Sequence, residues 1–205
     1  MASTTDYINL TLYQDESLDE TVTFETSFQI EDSKLISRIS KDYSATAFTG
    51  DDDAGTLVAY VVNNVGSAYT NGTAHVLTIS GNGTATCKID GGKIISVTIT
   101  NVGSGYTSQP TVALPVGAGN GDGLASISLL VGASGYLTLN AIASQATAGD
   151  TLALSLNKTK TGALDDSFSG YWDLSSKDNS TGKVTRQVNG EVYLEKSITK
   201  EGAFA

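Results

Sequence analysis

Apolar and polar residues alternate at Ile8, Leu10 and Leu12, and again at Val22, Phe24, Phe28 and Ile30. This period of two predicts half-buried β-strands, with Gln14-Asp15-Glu16-Ser17 as the break between them. The pattern returns at Leu137 and Leu139, at Leu152, Leu154 and Leu156, and at Trp172 and Leu174, each run bounded by Gly, Asn, Asp or Ser. No apolar stripe at helical spacing matches these in length. Trp172 shares parity with Leu174 and is expected in the core, which leaves Tyr171 and Asp173 on the opposite face. Val184, Val188, Val192 and Leu194 keep one parity across Asn189-Gly190, a pair that often marks a type I′ hairpin turn. Unbroken parity predicts one long strand instead, with Gly190 at a bend or a close backbone contact.

The middle of the chain differs. Residues 55–131 are rich in Gly, Asn, Ser and Thr and nearly free of acidic residues once Asp51-Asp52-Asp53 has passed. The segment repeats itself: Asn64-Val65-Gly66-Ser67-Ala68-Tyr69-Thr70 returns as Asn101-Val102-Gly103-Ser104-Gly105-Tyr106-Thr107. A β-branched run precedes each copy, from Val58 to Val62 and from Ile94 to Ile99, and a glycine-rich loop follows each, Gly81-Asn82-Gly83 and Gly117 to Gly123. Two copies of a small β unit can bury together faces that neither could bury alone. The expected fold is therefore all-β: an antiparallel, immunoglobulin-like β-sandwich built from 1–54 and 132–205, with 55–131 inserted as a two-copy β-repeat domain.

Composition narrows the partners. The chain has 205 residues, 22 acidic against 12 basic, for a formal charge of -10 and an isoelectric point near 4.4. Such a surface repels phosphate backbones and anionic headgroups, so neither nucleic acid nor membrane is an expected partner. The N-terminus lacks a signal-peptide pattern and no stretch approaches a membrane span, which predicts a soluble protein not secreted by that route. The single cysteine, Cys87, cannot close an intrachain disulfide, in keeping with assembly in a cytoplasm.

In the last third, Gly170-Tyr171-Trp172-Asp173-Leu174 leads to Gly182-Lys183-Val184-Thr185-Arg186 and Gly190-Glu191-Val192-Tyr193-Leu194, ending in Ile198-Thr199. Together with Leu10 to Gln14 and Thr21 to Phe24, these segments resemble a small β-sandwich module of tailed-phage virion proteins. The N-terminal domain of phage baseplate upper proteins is a relative. The run Asn101 to Val112 is similar to the Gly-Ser-Gly-Tyr repeats of phage tail and baseplate proteins. The resemblance implies a structural protein of a phage particle, present in the virion and assembled in the host cytoplasm. It would dock other virion subunits as a homo-oligomer or in multiple copies. A place in the tail, baseplate or neck is the leading expectation, a capsid decoration protein the alternative, and a host-glycan-binding module a third reading.

Candidate chemistry is sparse, and no enzyme activity, cofactor or metal is expected. His75, the sole imidazole, reads as an ordinary strand or loop residue, and Cys87 as a small buried hydrophobe. One of each cannot build a zinc site. Asp51-Asp52-Asp53 invites a calcium reading, but consecutive aspartates lack the spacing of a calcium loop, so a solvated acidic turn is expected there. Asp165-Asp166 and the loop Gly119 to Gly123 read the same way. Ser180-Thr181-Gly182-Lys183 lacks the upstream glycine of a phosphate loop and predicts a plain turn. Facing carboxylates could in principle form a glycosidase pair, which sequence alone cannot assemble. Three aromatic residues remain as structural or interaction candidates: Tyr69 and Tyr106 at matching repeat positions, and Trp172. A core or turn-locking role is the simpler reading of the tyrosines, a sugar-stacking platform the other.

Overall fold

The computed structural model describes residues 6–24, 33–144 and 150–196. Phe28 and Ile30, expected on a second N-terminal strand, lie outside the described residues. In chain order the strands are β1 (Asp6–Tyr7), β2 (Leu10–Tyr13), β3 (Leu18–Thr23), β4 (Ser33–Ser40), β5 (Leu57–Asn64), β6 (Gly72–Val76), β7 (Thr78–Ile79) and β8 (Thr84–Asp90). There follow β9 (Lys93–Asn101), β10 (Val112–Ala113), β11 (Ser126–Val131), β12 (Leu137–Thr138), β13 (Asn140–Ser144) and β14 (Thr151–Leu156). A short helix, α1 (Lys158–Gly162), precedes β15 (Ser169–Asp178) and β16 (Val184–Glu195). The fold is all-β. Among the described residues no helix is long and apolar enough to cross a membrane.

Two sheets form the sandwich. The first runs β1-β16-β15-β4-β12, with β2 also on β16, and the second runs β11-β5-β13-β14-β3. Most pairs are antiparallel, but β1 and β2 lie parallel to β16, and β13 lies parallel to β5. The alternation along each strand fills the gap between the sheets: Leu10, Leu12, Leu35, Ile39, Trp172, Leu174 and Val192 from one side meet Val22, Ala141, Leu152, Leu154 and Leu156 from the other. The final strand is continuous through Asn189-Gly190, as its parity predicts. Gly190 stands opposite Trp172 and beneath the chain linking β1 to β2, where any Cβ would lie 1.7 Å from the Ile8 carbonyl oxygen. That carbonyl accepts the Trp172 indole N–H at 2.6 Å. Glycine is thus required by close approach, and the tight turn that Asn-Gly often signals is absent.

The division expected at 54/55 and 131/132 runs through the second sheet. β5 pairs with β13 and β11 pairs with β5, so two strands of the repeat segment complete the sandwich. Ala59, Val61 and Leu130 face the sandwich core, while Val62 and Leu129 face a second core built with Ala85, Cys87, Ile89, Ile94 and Val97. β5 and β11 are consequently buried on both faces. A three-stranded sheet, β6-β8-β9, forms the outer layer of that second core.

The repeats interlock instead of stacking side by side. The first strand of copy one, β5, pairs with the last strand of copy two, β11, while the first strand of copy two, β9, pairs with β8 of copy one. Equivalent hydrogen bonds cross between copies. Leu57 N–H donates to Val102 O and Ile94 N–H to Val65 O; Tyr106 N–H donates to Gly55 O and Tyr69 N–H to Gly92 O. Each donor and acceptor of one bond maps onto its counterpart by the offset that relates the two sequence motifs. The copies are related by a pseudo-two-fold and have exchanged partners.

Candidate interaction face

The two motifs fold into the same turn. Asn64 Oδ1 accepts the Gly66 N–H at 2.8 Å, Asn101 Oδ1 accepts the Gly103 N–H at 2.9 Å, and both glycines adopt positive φ, 67° and 60°. That φ range favours glycine. The tyrosine that follows then reaches into the other copy. Tyr69 packs on Gly121 and its hydroxyl accepts the Ala125 N–H at 3.3 Å, while Tyr106 packs on Gly81 and its hydroxyl accepts the Gly83 N–H at 2.7 Å. A Cβ on Gly121 or Gly81 would meet the ring at 2.6 Å, so these loops are glycine-rich because an aromatic ring lies flush against them. Tyr69 is buried and Tyr106 half-buried, and neither presents an open ring face for a sugar. Trp172 is 2% exposed and lies in the sandwich core.

The acidic run is a correction to the sequence reading. Asp52 is buried instead of solvated: its carboxylate accepts from Thr138 N–H at 2.9 Å, Thr138 Oγ1 at 2.6 Å and Lys160 Nζ at 2.8 Å. Asp51 accepts from Ser134 Oγ and Gly135 N–H. The run therefore latches the linker before β5 to β12 and α1, a contact between distant segments that local spacing does not encode. Asp122 and Asp178 close local turns. Backbone N–H donors, led by Leu124 on Asp122 and Thr181 on Asp178, pull both carboxyls down, Asp178 to about 2. Asp166 accepts from Gln14 and Lys196. Among the described residues no group of three or more His, Cys, Asp or Glu is arranged to hold a metal ion. His75 lies on β6 with Nε2 3.0 Å from Thr70 O, and Cys87 is buried on β8, its thiol pushed up by desolvation.

The most distinctive surface is the outer face of the first sheet, the face on which strand parity places Tyr171 and Asp173. Register aligns Arg38 of β4, Asp173 of β15, Asn189 of β16 and Tyr7 of β1 in one row across it. Arg186 adds a guanidinium 3.6 Å from Asp173. Burial raises the Asp173 carboxyl, and the attraction of Arg186, its Ser175 hydrogen bond and Arg38 pull it partly back. Tyr43 rises from the turn after β4, which Asp42 fixes by accepting the Ser44 and Thr46 N–H groups. Its ring stacks on Tyr171 at 4.4 Å between centroids. The Arg38 guanidinium lies 4.8 Å above the Tyr136 ring, with its Nε buried and without a hydrogen-bond partner. These residues enclose a groove of about 240 Å³.

Arg38 and Arg186 are the only arginines in the chain, and both line this groove with four of the nine tyrosines, Tyr7, Tyr43, Tyr136 and Tyr171. Sequence reasoning placed Tyr171 and Asp173 on this face but did not bring the arginines to it. The one available signal was their scarcity. Comparison with known proteins returns no significant match to a family model, a characterised sequence or a solved structure.

Proposed function

We propose that this chain is a non-enzymatic structural component of a tailed-phage particle, an accessory protein of the tail, baseplate or neck that docks other virion subunits. The observation that carries the reading is the convergence of tyrosines and both arginines on a rigid, six-stranded sheet. Tyr and Arg are among the residue types that dominate binding hot spots, because they bring large contact area and directional hydrogen bonds at modest entropic cost. The resemblance of the flanks and repeats to phage virion modules supplies the class of particle. In this arrangement the sandwich anchors, and the interlocked repeats project or bridge to a neighbour. The chain acts in multiple copies.

The deciding experiment locates the chain in purified particles of the phage that encodes it, by electron cryo-microscopy or gold-labelled antibody. Density at the tail, baseplate or neck is the expected result. Density spread over the capsid lattice favours the decoration alternative, and particles that lack the chain altogether overturn the proposal.

A further inference from the structure

We propose that the groove on the outer face of the first sheet binds a neutral pyranose sugar, its ring stacked on Tyr43 and its hydroxyls held by Asp173 and Asn189. Tyr43 is 81% exposed yet fixed in orientation, because its ring lies on Tyr171 at 4.4 Å and Asp42 holds the turn beneath it. The other face of the ring is left to solvent. Tyr7, 61% exposed, stands at the β1 end of the same groove. Between the two rings the floor is polar. The Asp173 side chain keeps 36% of its exposure, and its contacts with Ser175 and Arg186 are long, 3.5 and 3.6 Å, which leaves acceptor positions for incoming hydroxyls. The Asn189 side-chain amide has no hydrogen-bond partner among the described residues and offers both donors and an acceptor. An exposed aromatic ring supplies the apolar contact that the C–H face of a pyranose needs, and a few fixed polar groups set its orientation. The floor selects a sugar over a protein side chain, since Ile36 is the one aliphatic residue lining the groove, whereas a protein hot spot fills a desolvated apolar pocket. The arginines do not make it an anion site: Arg186 is engaged with Asp173 and Arg38 lies on the Tyr136 ring. Asp173 in the floor and a net charge of -10 around it both disfavour a sugar acid. The proposal does not require the docking reading, because Tyr13 and Tyr193, exposed on β2 and β16 of the same sheet, stand outside the groove.

The probes are the methyl pyranosides of glucose, galactose, mannose and N-acetylglucosamine, titrated into the full chain and followed through the Asn189 side-chain amide in a ¹⁵N spectrum. Sorbitol, a polyol without a ring face, and N-acetyltyrosine amide, a protein-like probe, are titrated beside them. The expected result is a saturable shift with at least one pyranoside, absent with sorbitol. Tyr43→Ala and Asp173→Ala should each weaken it about tenfold, while Tyr43→Phe, which keeps the ring face, should leave it within about twofold. Tyr43 is exposed, so its replacement spares the core and the test stands even if Asp173→Ala disturbs the sheet. A response to all four sugars no larger than that to sorbitol, or one indifferent to Tyr43→Ala, overturns the proposal. A tighter response to N-acetyltyrosine amide than to every pyranoside overturns the sugar in favour of a protein segment. None of these outcomes alters where the chain sits in a particle, so the docking reading is decided separately.

Discussion

Replacing Asp52 by alanine should destabilise the protein far more than a substitution in an acidic turn would. The carboxylate has no exposed surface, and its removal leaves the Thr138 N–H and hydroxyl without this acceptor and the Lys160 ammonium with the longer bond to the Val58 carbonyl. Breaking a buried ion pair from one side costs about 3 to 5 kcal/mol. The Lys160 side chain keeps 25% of its exposure and can turn its ammonium to water, which puts the expected loss near the lower bound, about 3 kcal/mol. Asp52→Asn retains an acceptor for Thr138 while losing the charge and should cost about 1 to 2 kcal/mol. Lys160→Met strands the carboxylate on Thr138 alone and should cost at least as much as Asp52→Ala. Combined with Asp52→Ala it should fall short of additivity by about 1 to 3 kcal/mol. Urea unfolding followed through Trp172, the sole tryptophan, reads all four variants. With a slope of about 2 to 3 kcal/mol per molar, a 3 kcal/mol loss lowers the midpoint by about 1 to 1.5 M. An Asp52→Ala protein within about 0.5 kcal/mol of wild type, or strict additivity in the double variant, would refute the latch and return Asp52 to the solvent.

Three further outcomes follow from the geometry. Trp172→Ala empties a core position and should cost about 3 to 5 kcal/mol in urea unfolding followed by far-ultraviolet circular dichroism, since the variant has no tryptophan; an unchanged midpoint contradicts its placement. Tyr106→Phe removes the acceptor of the Gly83 N–H and should cost about 1 kcal/mol, more than Tyr69→Phe, whose corresponding bond is longer, and a reversed order argues against the lock. Asp42, Asp122 and Asp178 all have carboxyls held below the ordinary carboxylate value, so the stability they contribute is complete above about pH 4 and is lost as pH falls towards 2. Asp173, with its carboxyl raised, works in the opposite sense, so Asp178→Asn should flatten the acid limb of the thermal midpoint while Asp173→Asn does not.

The strands were legible because alternation survives in a single sequence: Leu152, Leu154 and Leu156, or Trp172 and Leu174, declare a buried face without knowledge of their partners. Gly190 was legible for the same reason, since parity kept on both sides favoured one strand over a turn. Partnerships across the chain were not legible. Asp52 reads as solvated until Thr138 and Lys160 close on it, and Arg38 and Arg186 read as two scattered cations until β15 aligns their strands. The repeat was visible as two motifs, but its exchange was hidden, because identical turns are compatible with each tyrosine locking its own glycine loop or its neighbour's.

That exchange bears on how the middle segment is attached. If the copies stacked independently, loss of one would leave the other intact and the sandwich complete. Here β5 has β11 on one edge and β13 on the other, so the first and last strands of the repeat segment complete the sandwich sheet together. Closing so long a loop costs chain entropy before the non-local contacts compensate, which favours slow, concerted formation of the second sheet and the repeat core. The arrangement also makes the link stiff. Val62 and Leu129 on one side of β5 and β11, and Ala59, Val61 and Leu130 on the other, pack the two cores against the same pair of strands, and close-packed interiors transmit strain. A repeat unit joined through shared strands keeps the orientation of its anchor, which is the stiffness the proposed bridging role calls for.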